Sequence, residues 1–139
     1  MSAIRYVPLL GRLLIGLPFI FTGAGKATAY GATTAYIVAA GLPFPPLAYA
    51  IAVAVELGGG VLLVIGYQTR VVAGVMAVFV LATAFSFHTH FADQNQMINF
   101  IKNLMITGGL LQIVAFGAGA FSLDSRRKGG ELAPGAAAA

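Results

Sequence analysis

The chain contains no cysteine. That removes disulfides, thiolate nucleophiles, iron–sulfur clusters and cysteine-ligated zinc, so any redox chemistry must use a bound cofactor or substrate. Charge is almost as scarce: of 139 residues, eight are Lys or Arg and four are Asp or Glu, 9% in all. Soluble domains carry roughly 25% charged residues, and a chain of this size has one small core with a large surface to cover. Such a composition excludes a water-soluble domain. The net charge of +4 does not point to nucleic acid, because the basic residues are scattered or gathered in one tail and form no stripe.

What the sequence does have is hydrocarbon. The hydrophobic 59% amounts to roughly 82 positions, and four spanning helices of about 20 residues would use about 80. The expected fold is therefore all-α, an integral membrane four-helix bundle with spans near residues 6–25, 46–65, 71–91 and 98–116. Arg12 splits the apolar run of the first span, which reads as a retained helix rather than a cleaved signal. Residues 27–45 are too short and too polar to cross. Tyr30 and Tyr36 suit the headgroup level, and Gly41 followed by Pro43 is a helix stop. A short interfacial helix between the first two spans is expected there. The membrane domain covers residues 1–121, followed by a basic and then Ala-rich tail, 122–139, expected to be disordered and cytoplasmic.

Four spans put both termini on one side. That side holds Arg5, Arg70, Arg126, Arg127 and Lys128, against Lys26 and Lys102 on the other. By the positive-inside rule both termini face the cytoplasm.

Polar residues within the spans mark a candidate pocket. Glu56 lies ten residues beyond Pro46, roughly 15 Å into a core of about 30 Å. A carboxyl at that depth must be protonated, paired with Arg12, or facing a wet cavity. Arg12, Gly16, Phe19, Gly23 and Lys26 recur at spacings of four and three, a stripe of small and polar residues suited to the bundle interior. Thr83, Ser86 and His90 share a stripe of the third helix, with His88 pointing elsewhere. Lys26, one histidine and Lys102 with its neighbour Asn103 would then converge above Glu56. Blander roles fit the same residues. Arg12 and Glu56 can pair to hold helix register, Lys26 and Lys102 can snorkel, and the histidines can be wet residues beside a loop. As residues two apart on one helix, His88 and His90 could not both bind one haem iron in a monomer, and nothing fixes a metal site.

Arg12, Phe21-x-Gly23-x-x-Lys26, Gly41-x-Pro43, Glu56-Leu57-Gly58-Gly59, Gly66-x-x-Thr69-Arg70, His88 and Lys102-Asn103 follow in an order and spacing that resembles the DoxX family of small bacterial four-helix membrane proteins. The resemblance runs from about Leu10 to Phe116. It implies a multi-pass protein of the bacterial inner (cytoplasmic) membrane and a membrane subunit tied to redox enzymes, since members are associated with thiosulfate:quinone oxidoreduction or act as a membrane partner of secreted oxidative-stress enzymes.

Three functions remain open on the residues. One is a quinone-interacting membrane subunit of a respiratory or redox enzyme, with no intrinsic cofactor and with the lipid bilayer, a quinone and other redox-enzyme subunits or further copies of itself as partners. Its polar pocket would be Arg12, Lys26, Glu56, His88, His90, Lys102 and Asn103, walled by Phe19, Phe85, Phe87 and Phe91. The second is a non-catalytic scaffold that docks a soluble partner through residues 27–45 and the loop near Asp93. The third is a small-solute, proton-coupled transporter, which also needs an ionisable residue at the midplane.

Overall fold

The computed structural model describes residues 3–131, which are helical almost throughout. A 3-10 turn, Ala3–Tyr6, leads into α1, Val7–Ala27, and the short α2, Tyr30–Ala39, follows. The next rod is continuous but changes pitch: α3, Pro45–Val53, passes into a π-helical segment, Ala54–Gly59, and returns to α geometry in α4, Gly60–Ile65. The chain then forms α5, Thr69–Phe87, α6, Gln94–Phe116, and α7, Leu123–Glu131. Four rods are long and apolar enough to cross a membrane: Ala3–Ala27, Pro45–Ile65, Thr69–Phe87 and Gln94–Phe116. The all-helical, four-span architecture therefore stands, with α2 at the position expected of the short helix.

Packing explains why the polar stripe of α1 turns inward. Arg12, Gly16 and Gly23 are its buried residues. A Cβ on Gly16 would come within 3.0 Å of the Gly60 carbonyl oxygen, so α1 and α4 touch backbone to backbone. Leu63, Ala73, Met76, Ala77, Val80 and Leu110 form the apolar core between α4, α5 and α6. Large apolar side chains such as Phe21, Val78, Met105 and Phe116 point outward, as a bilayer requires and water would not tolerate in such number.

Three boundaries differ from expectation. The third span stops at Phe87 rather than 91. His88 leaves the helical region at φ −128°, and its N–H donates to the Ala84 carbonyl, because the polar run His88-Thr89-His90 marks the limit of the hydrocarbon. The fourth span starts at Gln94 rather than 98, capped by Asp93, whose carboxylate accepts the Asn95 N–H at 2.9 Å. The tail expected to be disordered is helical over Leu123–Glu131; its Ala-rich remainder lies outside the described residues.

That last helix is anchored at the end of the bundle where Tyr6 meets Phe121. The Asp124 carboxylate accepts the N–H groups of Gln68 and Thr69, each at 2.8 Å, and the Thr69 hydroxyl at 2.6 Å. These are unsatisfied donors at the start of α5, which has no side-chain cap of its own. Tyr6 stacks on Phe121 with ring centroids 4.7 Å apart.

Arg12 belongs to this end as well, and of the alternatives open for Glu56 the pairing with Arg12 is not made. Its buried guanidinium donates to the Leu63 and Val64 carbonyls at 3.0 and 2.9 Å, and to the Phe121 carbonyl. The first two are among the last carbonyls of α4, which lack helical partners and carry the negative end of the helix dipole. Glu56 lies about two turns further along the rod, roughly 10 Å away. The nearer acceptors take the guanidinium.

Candidate functional site

The site starts from one close contact. A Cβ on Gly23 would sit 2.6 Å from the Leu57 backbone nitrogen, so α1 meets the π-helical segment without an intervening side chain. Thr22 and Lys26, one turn apart and flanking Gly23, can therefore both reach Glu56. Lys26 Nζ lies 2.9 Å from Glu56 Oε2, and the Thr22 hydroxyl donates to the same oxygen at 2.9 Å. Oε1 has no protein hydrogen-bond partner among the described residues. Glu56 is buried, with 6% of its surface exposed, yet it lines a cavity.

The π segment is what aims the carboxylate. A wider turn interrupts the i→i−4 ladder, and such turns are frequent at functional positions. Here Gly60 restores α geometry, its N–H shared between the Glu56 and Leu57 carbonyls.

The cavity has a volume of about 500 Å³, is open on one side, and is bordered by α1, α2, α3 with its π segment, α5 and α6. Phe19, Ile51, Phe79, Val80 and Ile106 give it apolar walls, while Thr83, Ser86, His88 and Asn103 supply polar atoms opposite the Lys26–Glu56 pair. Asn103 Nδ2 donates to the Thr83 hydroxyl at 3.4 Å, and that hydroxyl donates to the Val80 carbonyl at 2.8 Å. His88 Nδ1 lies 3.2 Å from Gln96 Oε1. Across the loop end, Tyr36 of α2 stacks on Phe87 of α5 at 5.1 Å, so the short helix covers the chamber.

A family model, DoxX, matches residues 7–89. The chain belongs to the DoxX family. It is similar to the inner membrane protein YqjF of Escherichia coli K12, 40% identical over 116 residues covering 84% of this chain and 88% of that one. It is similar also to the inner membrane protein YphA of the same organism, 37% identical over 124 residues, with 85% and 88% covered. No solved structure matches the chain.

Within this DoxX protein the matched segment contains Thr22, Lys26, Glu56 and His88, while Asn103 lies beyond it. Of the seven residues expected to share a pocket, the fold brings together Lys26, Glu56, His88 and Asn103. It does not bring in the other three. Arg12 is committed to the opposite end of the bundle. Lys102 is exposed, because one helical step of about 100° separates it from the inward-facing Asn103. His90 is exposed in the loop beyond α5, so the opposition of the two histidines across one helix does not arise. Among the described residues, no three His, Asp or Glu side chains are grouped to hold a metal ion.

Sequence reasoning missed Thr22 and the cover provided by Tyr36. Thr22 carried a usable signal: it stands at i−4 from Lys26, and such residues share a helix face. Tyr36 carried none, since its contact depends on how α2 folds back over α5.

Proposed function

We propose that this DoxX protein is the membrane subunit of, or an accessory to, a respiratory or redox enzyme, and that the cavity beside Glu56 binds a quinone head group. The observation that carries the reading is the chamber itself. Its volume of about 500 Å³ is within the range of small-molecule sites, and its mostly apolar walls with a few convergent polar groups match their usual composition. A quinone ring presents two flat faces and two carbonyl oxygens. Phe19, Phe79 and Phe87 offer apolar and aromatic surface to the ring, and Lys26, His88 and Asn103 offer nitrogen groups to its oxygens. The free Oε1 of Glu56 suits the hydroxyl of the reduced form.

The chain contains no thiol, so in this reading the electrons come from a partner oxidoreductase. The DoxX chain binds and orients the ring, keeps water from it, and holds a proton-accepting carboxylate beside it.

The test is equilibrium dialysis of the purified protein in mild detergent against ubiquinone-2. Losing one hydrogen bond to a charged group costs about 1.5–3 kcal/mol, so Glu56→Gln and Lys26→Gln should each weaken binding about tenfold or more. Affinity in both variants equal to that of the parent would refute the site.

A further inference from the structure

At the opposite end of the bundle from the quinone chamber, a second recess of about 460 Å³ lies between the start of α5, the turn after α6, and α7. It is lined by the cations Arg70, Arg127 and Lys128, all three exposed and none in an ion pair among the described residues. Among the described residues the one anion lining it is Asp124, which spends its two oxygens on three donors at the start of α5. Formal charge within the recess is therefore three positive against one negative.

Two features make this a shaped site rather than loose surface charge. The Arg70 side chain is laid across the turn at Gly117, where a Cβ would come within 3.2 Å of Arg70 Nε. Arg127 is held over the Tyr67 ring, 5.5 Å from its centroid, which uses the face of the guanidinium and leaves its edge for an anion. Directly below, on the membrane side, Val71 and Phe116 are 64% and 79% exposed. An anion bound among the cations would thus have hydrocarbon surface immediately beneath it.

We infer that this recess binds the phosphate headgroup of an anionic glycerophospholipid, with the acyl chains lying along Val71 and Phe116. The chemistry recognised is a phosphate oxyanion, held by guanidinium and ammonium donors. The apolar surface below selects a lipid over free phosphate, and the excess of positive charge selects an anionic headgroup over a zwitterionic one. By closing one wall, α7 makes the site, because two of its three cations come from that helix.

The test is native mass spectrometry of the full chain in mild detergent, titrated separately with phosphatidylglycerol, phosphatidylcholine and inorganic phosphate. Phosphatidylglycerol should bind in a one-to-one complex more tightly than phosphatidylcholine. Each of Arg70→Gln, Arg127→Gln and Lys128→Gln should reduce that preference about fivefold, while Lys102→Gln at the other end and Arg126→Gln outside the recess should not change it. Equal binding of the two lipids, or a preference that survives the three substitutions combined, overturns the inference. Complete displacement of the lipid by millimolar inorganic phosphate also overturns it and assigns a free-anion site. Helicity measured by circular dichroism shows that the combined variant is folded, and the preference of the unaltered chain is decisive even if that variant is not.

Discussion

Lys26 and Glu56 form an ion pair at 2.9 Å in which the carboxylate side chain is 8% exposed and the lysine side chain 35%. The two partners are therefore not equivalent. Lysine can turn outward if the pair is broken, whereas the glutamate stays among helices with Thr22 as its one remaining donor.

Removing the lysine should accordingly cost more than neutralising the acid. Lys26→Met leaves a buried carboxylate short of a partner and should destabilise by at least about 2 kcal/mol, while Glu56→Gln should cost about 1 kcal/mol. Thermal unfolding in detergent measures both, and equal losses would show that the carboxylate does not depend on the lysine.

Arg12 holds three backbone carbonyls at the end of the bundle opposite the Glu56 cavity. Arg12→Leu strands the Leu63, Val64 and Phe121 carbonyls and should cost about 3 kcal/mol, with Arg12→Lys recovering part of the loss because an ammonium cannot reproduce the planar fork. Quinone affinity per folded molecule should be unchanged. A selective loss of affinity in a fully stable Arg12→Leu protein would return Arg12 to the site.

The contact at Gly23 sets the position of the π segment. Gly23→Ala forces a Cβ against the Leu57 backbone and should destabilise by about 1–3 kcal/mol, as overpacking does. Gly11, where a Cβ meets nothing within 4 Å, is the control, and Gly11→Ala should be neutral or slightly stabilising. If the two substitutions behave alike, the close approach is not a constraint.

Asp124 ties acidity to the start of α5. Partial burial raises its carboxyl, but the hydrogen bonds from the Thr69 side chain and the Thr69 and Gln68 N–H groups, together with the charge of Arg127, outweigh that and leave it below the ordinary carboxylate value. A carboxyl held lower in the folded chain than in the unfolded one stabilises fully above its ordinary value, and the contribution fades as pH falls through the folded value. Asp124→Asn should cost about 1 kcal/mol at neutral pH through the lost cap. Its stability should also fall less than the parent's on acidification below that ordinary range. Parallel pH profiles for the two proteins would remove Asp124 from the linkage.

The proposed quinone site has a sharp edge between neighbours. His88→Ala and Asn103→Ala should each weaken ubiquinone-2 binding, by about five- to tenfold for a lost neutral hydrogen bond, and His90→Ala and Lys102→Gln should not. Dialysis of the four variants reads this out, and a loss at Lys102 equal to that at Asn103 would move the site to the other face of α6.

Much of this was legible before the structure. Apolar run lengths located four spans, since crossing hydrocarbon demands that every backbone group be satisfied within a helix. The spacing of Arg12, Gly16 and Gly23 located the inward face of α1, because lipid gives no reason to place glycine or arginine in register. Of the seven residues expected to share a pocket, Lys26, Glu56, His88 and Asn103 line one chamber, whereas Lys102 lies one helical step off that face and His90 lies beyond a helix that ends at Phe87.

What the sequence by itself determined was the solvent, the number of spans and the inward stripe of α1, all of which follow from local composition and a period of 3.6. What only the tertiary structure decided was the partner of each intramembrane charge. Arg12 had Glu56 within plausible reach and chose three backbone carbonyls, and Glu56 took Lys26 and Thr22. Those choices depend on which helix end or turn stands within about 3 Å, and that is set by how far two glycines let α1 approach its neighbour.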